Sequence, residues 1–158
     1  MPFSSRTTIA THVLLAIVTF EGQAKTTSSF LAGSVNVNPV IIRNILGQLK
    51  RAGLVQVEAG IGGARLLKAP ETITLLDIFN AVEGRDKPLF HFHKNPNPDC
   101  PVGRNVHAVL DDKLTAAARA MAASLAATVV FSVRHNVFLF CSTVDRSVLL
   151  RLPSIQLS

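Results

Sequence analysis

The chain has 158 residues, 48% hydrophobic and only 16% charged, which is enough apolar material for one core with some left for a subunit interface. Two cysteines far apart exclude a disulfide scaffold, and no apolar run is long enough to span a bilayer. The formal net charge of +6 favours an anionic partner without choosing between nucleic acid and a membrane surface.

Ser4 or Ser5 can cap a first helix running to about Phe20, with Ile9, Val13, Ala16, Ile17 and Phe20 on one face. Val13 to Phe20 is apolar but has no small-residue cleavage site, so no signal peptide and a cytoplasmic protein are expected. Thr26-Thr27-Ser28-Ser29 opens a short second helix carrying Phe30, Leu31 and Val35. Thr26, Thr27 and Ser28 either cap that helix or offer its free N–H groups to a phosphate, and both roles are compatible.

Asn36-Val37-Asn38 reads as a turn. Asn38 is a good N-cap and Pro39 suits the first helical position, where no N–H is needed. The third helix then runs from Val40 to Arg51, with Lys50 and Arg51 in its last turn and Gly53 closing it. Ile42, Ile45, Leu46 and Leu49 share a core face, which leaves Asn38, Val40, Ile41, Arg43, Asn44 and Gln48 as either a solvated face or a reading surface. Gly47 inside the helix costs about 1 kcal/mol against alanine.

Leu54 to Glu58 alternates as a strand, Gly60-Ile61-Gly62-Gly63 reads as a turn, and Arg65 to Lys68 as the returning strand. A helix-turn-helix followed directly by a hairpin is the order of a winged helix. In such motifs the second helix of the pair enters the major groove, where arginine pairs with guanine and asparagine or glutamine with adenine. The wing would lie along the backbone or the minor groove.

Thr74 is expected to cap a helix from Leu75 to Val82, with Leu75, Ile78, Phe79 and Val82 apolar and Gly84 ending it. A proline-rich connector, Arg85 to Asp99, holds Phe90, Phe92, His91 and His93. Cys100-Pro101 starts the longest helix, with Cys100 as N-cap. Val102, Val106, Leu110, Leu114, Ala117, Met121 and Leu125 form one stripe on it, and Ala116, Ala120, Ala123 and Ala127 a second. A helix apolar on two sides needs more than its own small domain to cover it, and the same helix of a second subunit is the simple solution. Cys100 is either a structural cap or a regulatory thiol, since a helix start favours thiolate while Asp99 opposes it. His91, His93, Cys100 and His107 are spaced too loosely for a zinc site, so no metal is expected. Beyond Thr128 the β-branched, aromatic run is left open between one or two strands, a swapped arm and an altered reading of the C-terminus.

Four segments carry a family likeness. "NPVIIRNILGQLKRAGLV", "GIGGARLL" and "APETITLLDIFNAVEG" resemble the Rrf-type (Rrf-two) family of bacterial winged-helix transcription regulators, which includes IscR, NsrR and CymR. "HFHKNPNPDCPVG" is most similar to the YwnA-like branch. The likeness covers roughly Ser4 to Thr128. It implies a mainly α fold with a small β wing: a winged helix-turn-helix domain over 1–84, a connector over 85–100 and a dimerisation helix over 101–128. Residues 129–158 are left as a tail.

The resemblance implies a homodimeric, sequence-specific regulator of transcription, a repressor, with double-stranded DNA as partner and no membrane. Its DNA-binding set would be Thr27, Ser28, Asn38, Val40, Ile41, Arg43, Asn44, Gln48, Gly62, Gly63 and Arg65. Its dimer interface would use Val102, Val106, Leu110, Leu114, Met121 and Leu125. The chain departs from the family in two places. Ala59 stands where members usually place an arginine before the wing glycines, with Arg65 as a substitute from the other side of the loop. Iron–sulfur members group three cysteines in the connector, where this chain has Cys100 alone, so no cluster and no other cofactor are expected. The signal would then be felt by Cys100 or by a small-molecule effector between Phe90, Phe92 and the long helix. No catalytic set emerges, and no enzyme is expected. The competing reading is a winged-helix module that binds another protein without specific DNA binding.

Overall fold

The computed structural model describes residues 4–58, 62–84, 89–90 and 93–143, with the backbone alone for 137–143. Three helices, α1 (Arg6–Phe20), α2 (Ser28–Val35) and α3 (Pro39–Arg51), lead into a hairpin of β1 (Val55–Glu58) and β2 (Gly63–Leu66). A short helix, α4 (Leu75–Phe79), runs on into a π-helical turn over Asn80–Gly84. The long α5 (Pro101–Ala126) and a last helix, α6 (Val130–Thr143), complete the described chain. It is a mainly α fold with one small antiparallel sheet, paired Val55 to Leu66 and Glu58 to Gly63.

The core lies where α1, α2, α3 and the hairpin meet. Leu14, Ile17, Leu31, Ile42, Ile45, Leu49 and Val55 are among its fully buried side chains. α1 buries Ala10, Val13, Leu14, Ala16, Ile17 and Val18, more than the single face its periodicity predicts. The reason is its central position: α2, α3, β2, α4 and α6 all lie against it. A helix covered on several sides has no need of a polar face there. Phe20 and Phe30 join the ends of α1 and α2 edge to face, their ring centroids 5.0 Å apart.

Local chemistry sets most boundaries. The Ser4 hydroxyl accepts from Arg6 N at 3.0 Å, so the cap of α1 comes from Ser4 and not from Ser5. Thr74 and Asp77 form a reciprocal capping box at α4, with Asp77 N donating to Thr74 Oγ1 at 3.1 Å. The α4 segment passes the expected end at Val82 by means of its wider last turn, which closes at Gly84 with φ +99°.

Of the alternatives for the run after Thr128, strands do not hold over Val130–Thr143. Val129 forms a single antiparallel bridge to Thr74, and Val130 N donates to the Ile73 carbonyl at 2.9 Å. From Val130 to Thr143 the chain is helical, with Val130 fully buried in the core and α6 against α1. One anchored apolar side chain and a tertiary packing surface outweigh the weak β preference of Val and Phe. Residues 144–158 lie outside the described part.

α5 is different in kind. None of its 26 residues is buried. Val102 is 72% exposed and Val109 63%. Among the described residues no helix is long and apolar enough to cross a membrane.

Candidate nucleic-acid interface

α3 is built to present a face. Asn36 takes the left-handed conformation, φ +58°, that turns the chain out of α2. Asn38 Oδ1 then accepts from Val40 N at 2.8 Å, and Pro39 occupies the first turn. Lys50 and Arg51 lie in the last turn, and Gly53, φ +68°, releases the chain into β1. With Ile42, Ile45, Leu46 and Leu49 in the core, Asn38, Val40, Ile41, Arg43 and Asn44 stand in solvent. Arg43 is exposed, and its Nε reaches back to the Pro39 carbonyl at 3.4 Å. Gln48 is half-buried, and its Nε2 lies 3.4 Å from the Val82 carbonyl on the π-helical turn. It therefore stands on the flank of the face, not at its crest.

Two grooves flank this helix. One, of about 670 Å³, lies between α3 and the start of α1; Ser4, Ser5, Arg6, Arg43, Gly47 and Arg51 are among its lining residues. The other, of about 430 Å³, lies between α3, the start of α2 and the wing; Thr27, Ser28, Arg43, Gly47, Lys50 and Glu58 are among its lining residues. Arg43 and Gly47 border both. Sequence reasoning placed Thr27, Ser28 and Arg43 at such a surface but missed Arg6, and read Lys50 and Arg51 only as charges at a helix end. Nothing local in the sequence brings Arg6 and Arg51 together; the packing of α1 on α3 does.

Thr26 is a correction. It was a candidate for phosphate binding, but it is buried, and its hydroxyl donates to the Ala64 carbonyl. Ala64 N in return lies 3.1 Å from the Thr26 carbonyl and 3.2 Å from its hydroxyl. Thr26 thus clasps the wing to the start of α2, and its polar atoms are used. Thr27 is the actual N-cap, accepting from Phe30 N at 3.2 Å, with Ser28 half-buried as the first helical residue.

The wing differs from expectation in its register. Gly63, expected in the turn, is the first residue of β2 and pairs with Glu58. Gly62 is exposed, while residues 59–61, with Ala59, lie outside the described part. Arg65 stands on the outer face of the hairpin, its Nη2 3.1 Å from Gln56 Oε1 and 3.5 Å from Glu58 Oε1. Those neighbours, both on β1, hold Arg65 over the strands.

A family model described as an iron-dependent transcriptional regulator, Rrf2, matches residues 3–135. The chain belongs to the Rrf2 family. It is 39% identical over 135 residues to YwnA of Bacillus subtilis (strain 168), whose name assigns it provisionally to the HTH-type transcriptional regulators; the match covers 85% of this chain and 98% of YwnA. A crystal structure provisionally described as a DNA-binding protein is 37% identical, with a TM-score of 0.66 over 82% of this chain and 98% of that one. The Bacillus subtilis global cysteine regulator CymR has the same fold, with a TM-score of 0.60 at 19% identity over 85% of this chain and 97% of its own.

The family description raises iron, and the donor set does not fit an iron–sulfur cluster. The sequence has two cysteines, Cys100 at the start of α5 and Cys141 in α6, against the roughly four ligands, mostly thiolates, that such clusters take. Of the zinc alternative, His91 lies outside the described residues. His93 and His107 stack with centroids 5.1 Å apart, and His107 is held between Asp111 and the His93 carbonyl. Among the described residues no three His, Cys, Asp or Glu side chains gather as metal ligands.

Cys100 is the N-cap of α5, as expected, but no side-chain hydrogen bond closes the cap. The amides of Gly103 and Val102 face the sulfur and hold its pKa below the ordinary thiol value, against a small opposing effect of burial. On α5, Val102 and Leu110 are exposed, while Val106, Leu114, Met121 and Leu125 are half-buried. Phe90 is half-buried, and Phe92 lies outside the described residues.

Proposed function

We propose that the protein is a homodimeric, sequence-specific DNA-binding regulator that represses transcription, with α3 as its reading helix. The observation that carries this is the outer face of α3. Val40 and Ile41 are 52% and 41% exposed beside Arg43 and Asn44, on a helix whose opposite face is locked in the core. An arginine and an asparagine suit guanine and adenine edges, and apolar groups suit the thymine methyl. Membership of a family of transcriptional regulators, and likeness to YwnA, support the same reading.

The winged helix-turn-helix of residues 1–84 would bind a half-site through Thr27, Ser28, Asn38, Val40, Ile41, Arg43 and Asn44. Gln48 and the wing residues Gly62, Gly63 and Arg65 would stand at its edges. The connector of residues 85–100 would carry the signal to α5, which would pair with its copy through Val102, Val106, Leu110, Leu114, Met121 and Leu125. The 26 unburied residues of α5 support that assembly, because so much apolar helix is seldom left in water. A Cys100 thiolate, or a small molecule against Phe90 and α5, would shift α5 and so change the separation of half-sites. Such a protein acts in the cytoplasm.

The deciding experiment recovers genomic fragments on the protein, maps the shared sequence, and measures transcription from the adjacent promoters with and without the protein. A shared palindromic motif and raised transcription on deletion are expected. Fragments with no common sequence, or no retention of duplex, would overturn the reading.

A further inference from the structure

The groove between α1 and α3 shares Ile41, Arg43 and Asn44 with the reading face, but it is also lined by Arg6 and Arg51, which base reading leaves unused. Arg6 from α1 and Arg51 from α3 line it, together with Ser4 and Ser5 at the start of α1 and Gly47. Both arginines are exposed, and neither forms an ion pair with a described residue. Gly47 has no side chain to fill the space; a Cβ there would meet only the Arg51 guanidinium, at 3.8 Å. No carboxylate lines this groove, and the nearby Glu83 is turned toward the Thr7 hydroxyl, 3.5 Å away. The first turn of α1 contains no acidic residue. Two cations beside the positive end of a helix dipole, with no acid among them, fit an anion.

The geometry also says which anion. A helix in the major groove has one phosphate strand on either side of it. The groove beside α2 and the wing, with Thr27, Ser28 and Lys50, lies on one flank of α3; the Arg6–Arg51 groove lies on the other. We propose that the Arg6–Arg51 groove is a second phosphate track, gripping the DNA strand across the major groove from the one held at the start of α2. This rests on α3 being the reading helix. It adds Arg6, Arg51 and the Ser4–Ser5 start of α1 to the binding surface, and makes α1 a DNA-contacting element as well as the centre of the core. Phosphate contacts there set affinity and the tilt of α3 but carry no sequence preference.

The test is fluorescence anisotropy with a random-sequence duplex pool of about 30 base pairs, roughly three helical turns, titrated over a range of salt. Each phosphate neutralised contributes about −0.9 to the slope of log affinity against log salt. Arg6→Ala and Arg51→Ala are each expected to flatten that slope by about one and to weaken binding roughly five- to tenfold at about 0.1 M salt. Arg6→Lys, which keeps the charge, should retain the slope, and Lys94→Ala on the exposed connector is the control for lost net charge. If Arg6→Ala and Arg51→Ala change the slope no more than Lys94→Ala, while Arg43→Ala still weakens binding, the second track is wrong and the reading helix stands. If the wild-type protein binds no duplex, both proposals fall together.

Discussion

Gly63 and Thr26 meet backbone to backbone. A Cβ placed on Gly63 would lie 3.0 Å from Thr26 N, and Gly63 holds φ +79°, where other residues are strained. One residue on, Ala64 exchanges hydrogen bonds with Thr26. The wing is therefore set against the start of α2 at a fixed distance, and both border the same groove beside α3.

Thr26→Val is expected to destabilise the fold by about 1–3 kcal/mol, the range for leaving a buried polar partner unsatisfied. Gly63→Ala adds the left-handed penalty of roughly 1–2 kcal/mol to a close contact with backbone that has little room to move. Thermal unfolding of each variant checks this. Melting temperatures equal to wild type for both would mean that the wing is not held by this clasp.

Arg43→Ala is expected to weaken binding to the selected operator by roughly 1–3 kcal/mol and to relax base preference at one position. Arg43 is exposed, and its Nε makes only a long 3.4 Å hydrogen bond to the Pro39 carbonyl of its own helix, so folding should be unaffected. Competition gel shifts against operators mutated one base pair at a time measure it. Equal weakening on every sequence would move Arg43 from the base-reading group to the phosphate contacts.

The elements around α3 were legible because their signals are local. Asn38-Pro39 and Gly53 bracket the helix with residues whose capping chemistry needs no tertiary partner, and the Ile42, Ile45, Leu46 and Leu49 stripe names its core face. Thr26 was not legible, since its partner Ala64 lies 38 residues away and a threonine before a helix looks like any cap. Gly63 read as turn because glycine marks turns, whereas here it marks a close approach inside a strand. The helical α6 was missed because Val130, Phe131 and Val133 carry a strand-like composition, and only the buried seat of Val130 reveals the context that overrides it. Arg6 and Arg51 converge only once α1 is packed on α3.

Leu114→Glu is expected to convert a dimer to a monomer. Leu114 is half-buried on a helix with no buried residue, so a second subunit would complete its cover. A carboxylate buried there without a partner is costly enough to dissociate the pair. Light scattering at micromolar concentration reads the mass. A wild-type monomer would remove the two-half-site arrangement, and a dimeric Leu114→Glu would place the interface elsewhere on α5.

Cys100→Ser is expected to abolish any response of DNA binding to mild peroxide. The amides of Gly103 and Val102 lower the thiol's pKa, which raises the thiolate fraction near neutral pH. The rate of alkylation against pH gives that pKa directly, and a value at or above about 8.5, the free thiol's, would leave Cys100 a structural cap. Binding measured before and after oxidation supplies the second readout.

The attachment of the connector to α5 is expected to weaken as pH rises. His107 Nδ1 lies 3.0 Å from Asp111 Oδ1 and its Nε2 lies 2.9 Å from the His93 carbonyl. Both partners are acceptors, so only the imidazolium can donate to both at once. The Asp111 hydrogen bond is the main cause of a raised His107 pKa; partial burial opposes it, and the Asp111 charge and the His93 carbonyl reinforce it. A histidine with a folded pKa above its unfolded one contributes stability that is fully present below the unfolded value, near 6.5. That contribution is lost as pH rises through the higher folded value. Proton NMR titration of the His107 ring should therefore give a pKa above 6.5, and Asp111→Asn should bring it down. Limited proteolysis of the connector should accelerate as the pH passes through that pKa in wild type, with no such step in His107→Gln. A ring that titrates at or below the free value, or cleavage with the same pH dependence in both proteins, would show that His107 does not hold the connector to α5 through its charge.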